Sequence, residues 1–184
     1  MPTKIYTKKI DYGLTNLYDT KINKNSNIFD ALGDLDELSA NIGFLCSINE
    51  NIEHYIIEDL RWIQTMILNI IYDISTKNID KHILKEFHIL LLEERSDYYN
   101  KNFSSLKEFI LLGSTKIDSI CNICRTITRR AERNMWKCSE CSECSEYNIS
   151  DYCFQFINKL SSFFLSLSRY LYENNEVNRR ILEI

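Results

Sequence analysis

Strong helix breakers are almost absent: one proline, Pro2, and four glycines, Gly13, Gly33, Gly43 and Gly113, in 184 residues. A chain so poor in turn formers cannot make the many tight reversals of an all-β fold and is free to build long helices. The length suits a single domain with its own core, here taken as residues 1–184. A hydrophobic fraction of 45% and a charged fraction of 26% are ordinary for a globular protein. A net charge of -4 gives no bulk attraction to nucleic acid. No apolar run reaches the roughly 18 residues that span a bilayer, so no membrane partner is expected. The N-terminus lacks the apolar stretch of a secretory signal. Seven cysteines then point to a reducing, cytoplasmic setting and not to a disulfide framework.

Apolar spacing predicts five helices. Residues 1–27 read as a basic, irregular arm with room for a short extended piece, and residues 28–184 as the helical part. The first helix starts after Ser26 or Asn27, both good caps. At about 100° per residue, Ala31, Leu32, Leu35, Leu38 and Ile42 share one arc, with Asp36 at its edge beside Phe29. A second helix fits 52–75 and a third roughly 80–101, with Ile83, Phe87 and Leu90 to Leu92 as its apolar positions. A fourth starts near Ser114 or Thr115 and runs to about Lys137. A fifth runs from Ser150 to about Asn174, with Phe154, Ile157, Leu160, Phe164, Leu167 and Leu171 inside. Short connections make the expected architecture an all-α, antiparallel five-helix bundle.

The fourth helix carries the clearest chemical pattern. With Arg125 at zero on a helical wheel, Arg129 lies near about 40°, Arg133 near about 80° and Glu132 near about -20°. Asp118 and Asn122 fall in the same arc; Ile120, Ile123, Cys124, Ile127, Ala131 and Met135 lie opposite. Three guanidiniums at this spacing repel one another by a few tenths of a kcal/mol per exposed pair. They suit a surface that receives phosphates or carboxylates, which arginine forks bind bidentately. A solvated face neutralised by Glu132 and Asp118 is the plainer reading. Arg130, near about 140°, leans toward the apolar side, where salt bridges and stem packing are the expected role. In the arm, residues 7–16 mix cations, hydroxyls and a glycine, as a phosphate-binding loop can, with a disordered basic tail as the plainer reading.

Cysteines and histidines add little. Cys138, Cys141 and Cys144 are spaced as metal ligands often are. No fourth ligand stands at a useful distance, since Cys153 is on the next helix and His54, His82 and His88 are scattered. Residues 138–149 therefore read as a low-complexity connection, with any metal unknown. Cys121 and Cys124 span one helical turn and read as core. A di-iron carboxylate bundle needs Glu-x-x-His pairs, and there are none.

Four stretches, in order, resemble the PduO-type ATP:cob(I)alamin adenosyltransferases. Residues 4–15 are similar to the family's YTKTGDKGxT loop, and Gly33 to Ser39 to its GTVDELN block. Phe109 to Ser114 are similar to FILPGG, and Arg125 to Arg133 to RTVCRRAER. Beyond them, Phe156 to Ser161 resemble YLNRLSD.

The resemblance implies a homotrimer of five-helix bundles with ATP, accompanied by Mg2+, at a subunit interface. It places Thr7, Lys8, Lys9, Ile10, Thr15, Asn16 and Lys24 on one side of the nucleotide. Arg129, Arg130, Ala131, Glu132, Arg133 and Asn158 stand on the other. It pairs Asp36 with Arg125 in support of the interface and sets Phe109 against the lower face of the cobalt of cobalamin, the second substrate. Arg129, Arg125 and Asp36 are thereby the catalytic set. The implied reaction moves the 5′-deoxyadenosyl group of ATP to cobalt, releasing triphosphate. A reductase or an adenosylcobalamin-dependent enzyme is the implied protein partner.

The chain also departs from the family. Lys9, Ile10 and Tyr12 stand where the family has threonine, glycine and lysine. Leu112 and Ser114 replace the proline and second glycine of LPGG, and Ser162 replaces an aspartate. A non-catalytic homologue that binds cobalamin or nucleotide is the alternative these changes leave open.

Overall fold

Alternating side chains build a small hairpin before the first helix. β1 (Leu14–Leu17) pairs antiparallel with β2 (Thr20–Asn23), Thr15 opposite Ile22 and Asn16 opposite Lys21. Gly13 enters it at φ 81° and Lys24 N–H closes it on the Gly13 carbonyl at 2.8 Å. This hairpin is the extended piece of the arm. The computed structural model describes residues 12–17, 20–48, 52–77, 82–101, 112–141, 147 and 149–173.

Five helices follow: α1 (Asn27–Ser47), α2 (His54–Ser75), α3 (Glu86–Asn100), α4 (Lys116–Glu140) and α5 (Asp151–Glu173). Side-chain pairs fix their directions. Asp118, Glu132 and Trp136 of α4 meet Ser168, Asn158 and Phe154 of α5, so the two run antiparallel. Tyr55 and Asp73 of α2 meet Tyr170 and Cys153, again antiparallel to α5. Glu93 and Asn100 of α3 meet Lys159 and Arg169, so α3 runs parallel to α5. Successive helices alternate in direction, as an antiparallel bundle requires, and α4 packs most extensively, against α1 and α5.

The core is a stack of aliphatic and phenylalanine side chains. Ile63, Ile67 and Ile70 of α2 and Phe156, Leu160, Phe163 and Phe164 of α5 are wholly buried. Every apolar residue of the α1 arc is buried except Leu32, which is half-buried. Tyr99 reaches into this core and donates its hydroxyl to Asp59 at 2.7 Å, while Arg95 pairs with the same carboxylate. Cys121, Cys124, Cys138 and Cys153 are buried. Burial pushes the Cys124 thiol up to about 12 and raises Cys121 and Cys153 as well; Cys121 and Cys124 pack as small apolar groups, and Cys153 Sγ donates to Asp73 Oδ2 at 3.4 Å. Cys144 lies outside the described residues. Among those described, no three His, Cys, Asp or Glu side chains gather as a metal site, and no helix is long and apolar enough to cross a membrane.

Two sequence expectations are corrected. The third helix begins at Glu86, not near residue 80, with His88 Nδ1 accepting the Lys85 N–H at 3.0 Å to cap it. Ile83, Phe87 and Leu90 are exposed; Ile89, Leu92 and Tyr99 are buried. Three consecutive leucines diverge by about 100° each, so a helix that packs along one edge can bury only one of them. On α4, Ile123 is exposed, whereas Asp118 and Asn122, expected beside the arginines, are buried. The loop before α4 folds over Asp118, and Ser168 of α5 covers Asn122.

Phe163 makes edge contacts with Tyr99 and Phe164 at ring-centroid distances of 5.6 Å. Phe163→Ala is expected to cost about 3–5 kcal/mol in chemical denaturation. Phe87→Ala, at an exposed position, is expected to change stability by no more than about 0.5 kcal/mol.

Candidate active site

Helix α4 sets the site because both its flanks are occupied. Its apolar face, including Ile120, Cys124, Ile127, Ala131 and Met135, is buried, which turns Arg125, Arg129 and Arg133 the other way. Ala131 is wholly buried on the core side, apart from this stripe.

The four arginines differ in their partners. Arg130 leans to α1, where its Nε donates to Asp34 Oδ1 at 2.8 Å and its terminal nitrogen pairs with Glu37. Asp34 Oδ2 also accepts from Asn134 Nδ2 at 2.8 Å, so one carboxylate clamps two turns of α4 to α1. These contacts, the Asp34 hydrogen bond foremost, hold the Arg130 guanidinium above its usual range. That is the structural role its wheel position predicted. Arg125 is the reverse case. Burial, and after it the like charge of Arg129, push its guanidinium below the usual value. Its Nε donates to Asn122 Oδ1 at 3.1 Å, and no carboxylate among the described residues pairs with it. Arg129 is exposed and its guanidinium has no ion-pair partner among the described residues. Arg133 donates to the Arg129 carbonyl at 2.9 Å. The stripe therefore presents cationic groups that the rest of the described chain does not neutralise.

Around the stripe, Asn158 of α5 donates to Glu132 Oε1 at 2.8 Å, joining two residues expected at one site. Asp36 is exposed on α1 and forms no ion pair with Arg125 within the chain. In the hairpin, Asn16 and Lys24 are exposed and Thr15 is half-buried. The hairpin lines a cavity of about 250 Å³ with Ser26, Ile28, Lys77 and Tyr147, and no α4 residue borders it. Tyr12, at its entry, holds φ 50°, an uncommon backbone state for a bulky side chain and one that clusters at functional loops. Thr7, Lys8, Lys9, Ile10 and Phe109 lie outside the described residues.

The helical wheel missed what stands behind the stripe. Thr115 caps α4 by accepting the Asp118 N–H at 3.0 Å. Asp118 Oδ2 accepts the N–H groups of Gly113 and Ser114 at 2.9 and 3.1 Å. Its Oδ1 accepts Asn122 Nδ2 at 2.8 Å and Ser168 Oγ at 2.6 Å. The Thr115-x-x-Asp118 spacing was the available signal, since a threonine and an acid three residues on mark a capped helix start.

A family model described as cobalamin adenosyltransferase matches residues 5–171. A corrinoid adenosyltransferase of Bacillus subtilis (strain 168) is 33% identical over 172 residues, covering 90% of this chain and 85% of its own length. One of Mycobacterium leprae is 30% identical over 184 residues, covering 95% and 94%. A solved phenylalanine-to-alanine variant of the PduO-type ATP:corrinoid adenosyltransferase from Lactobacillus reuteri, complexed with cobalamin and ATP, matches at TM-score 0.85 and 30% identity. It covers 98% of this chain and 100% of that one. An arginine-to-lysine variant from the same organism, complexed with ATP, matches at TM-score 0.84 and 29% identity, covering 97% and 100%. With nearly its whole length matched and the unneutralised arginine helix in place, the chain belongs to the cobalamin adenosyltransferase family.

Proposed function

We propose that the chain transfers the 5′-deoxyadenosyl group of ATP to the cobalt of cob(I)alamin, making adenosylcobalamin. The observation that carries this reading is the pair Arg125 and Arg129, two guanidiniums on one helix face that no carboxylate of the described residues neutralises. Cobalt(I) supplies the electron pair that forms the cobalt–carbon bond at C5′. The C5′–O bond breaks, and its electrons leave with triphosphate. No proton need move, so an acid–base pair is not required. The protein must align two reactants and neutralise the charge that develops on the leaving group.

Arg129 and Arg133 meet the triphosphate in this reading, with Glu132 and Asn158 beside them. Mg2+ enters with ATP; it keeps several waters and needs few protein oxygens beyond the phosphates. Arg130 holds the helix in register through Asp34. Thr7, Lys8, Lys9, Ile10, Thr15, Asn16 and Lys24 form the other wall. The hairpin cavity borders no α4 residue, which favours a site whose two walls come from different copies of the chain. Asp36, exposed on α1, then pairs with Arg125 across that boundary, and the assembly is a homotrimer. Phe109 stands at the cobalt's lower face. The buried free thiols suit the reducing cytoplasm, where a reductase would supply cob(I)alamin.

In an assay that follows cob(I)alamin conversion spectroscopically with MgATP, Arg129→Ala is expected to lose at least about 100-fold in kcat while its melting temperature stays within about 2 °C. The side chain is exposed, so its removal opens no cavity. A near-normal rate would remove the stripe from the mechanism, and no conversion by the unaltered protein would favour a binding role alone. Sedimentation at micromolar concentration is expected to give a trimer. A stable monomer would contradict the interfacial site.

A further inference from the structure

Asp118 is buried, yet it forms no ion pair among the described residues. Both its oxygens are occupied by neutral donors from three parts of the fold: the turn at Gly113 and Ser114, Asn122 one helical turn on, and Ser168 of α5. A helix cap needs only the first of these. The second branch continues. Asn122 Nδ2 is held by Asp118 Oδ1, by the Asp118 carbonyl at 3.0 Å and against Ser168 Oγ at 3.1 Å. With its nitrogen so committed, the amide has one orientation, and its oxygen faces Arg125 Nε at 3.1 Å. We propose that Asp118 is a positioning residue for the reaction, fixing the Arg125 guanidinium through Asn122 and tying it to the glycine turn before α4.

The physics runs along the chain of dipoles. A carboxylate at one end polarises the amide, which makes the amide oxygen a better acceptor for the guanidinium at the other end. Holding Arg125 by Nε leaves its two terminal nitrogens as a fork, with no carboxylate among the described residues to take them. A long side chain frozen in folding does not have to be frozen again on binding. The turn is locked to the same carboxylate: Gly113 holds φ 90°, and its N–H is one of the two that Asp118 accepts. One acid thus links the Gly113 turn to the arginine helix. The proposal rests on the adenosyltransferase reading of the stripe, and its test includes a readout that does not depend on turnover.

That readout is the Arg125 Nε–H resonance in the nitrogen-15 NMR spectrum of the unliganded full chain, assigned by its loss in Arg125→Lys. It is expected to be distinct and slow to exchange in the unaltered protein. In Asp118→Asn and Asn122→Ala it should merge with the other arginine signals and exchange at least about tenfold faster. In the same folded proteins kcat should fall about tenfold or more, with KM for ATP moving less than about threefold. Ser168→Ala removes a donor from Asp118 but leaves Asn122 bonded, so it should lower the melting temperature and keep both the resonance and kcat. An unchanged resonance in Asn122→Ala would overturn the proposal, as would a lost resonance with unchanged kcat. So would a kcat loss in Ser168→Ala equal to that in Asp118→Asn, which would mark the cluster as merely structural. If Asp118→Asn does not fold, Asn122→Ala decides. Absence of turnover in the unaltered protein would defeat the adenosyltransferase reading alone, and the resonance would still decide whether Asp118 orients Arg125.

Discussion

The burial of α4 between α1 and α5 is the constraint on which the rest depends. An α-helix shows its neighbours about 100° more with each residue, so fixing two flanks fixes the third. Ile127, Ala131 and Met135 take one flank into the core, and the Asp34 carboxylate grips Arg130 and Asn134 at the edge of another. What remains is a face on which Arg125, Arg129 and Arg133 stand in line. Without the packing they would be three solvated arginines; with it they are an array of fixed direction.

That array is costly unless something negative meets it. Arg125 registers the cost, its guanidinium disfavoured first by burial and then by Arg129. Arg130 shows how the fold treats an arginine it means to neutralise, giving it two carboxylates of α1. The contrast between neighbouring arginines separates the structural one from those open to a ligand. A reaction that expels triphosphate from carbon needs such charge at the leaving group and little else from side-chain chemistry.

Much of this was legible in the residues. The scarcity of breakers and the helical spacing pointed to five helices and an antiparallel bundle; α1 begins, and α2, α4 and α5 begin and end, within a few residues of where the pattern put them. The wheel placed Arg130 off the stripe, where Asp34 holds it. Two things could not be read. A wheel has no knowledge of neighbours, so it left Asp118 and Asn122 with the exposed arginines although a loop and Ser168 cover them. Apolar runs do not say which residue of Leu90, Leu91 and Leu92 faces inward, because that depends on the width of the surface α3 meets. The proposed pairing of Arg125 with Asp36 is not a contact of the described residues, and only the resemblance to a family supplied it.

The central claim is that attack falls on C5′ and not on phosphorus. Phosphorus-31 NMR of the products after one complete turnover with cob(I)alamin and MgATP tests it most directly. The account predicts intact inorganic triphosphate in a one-to-one ratio with adenosylcobalamin. Diphosphate, orthophosphate or ADP as the primary phosphorus product, or adenosylcobalamin without triphosphate, would contradict it.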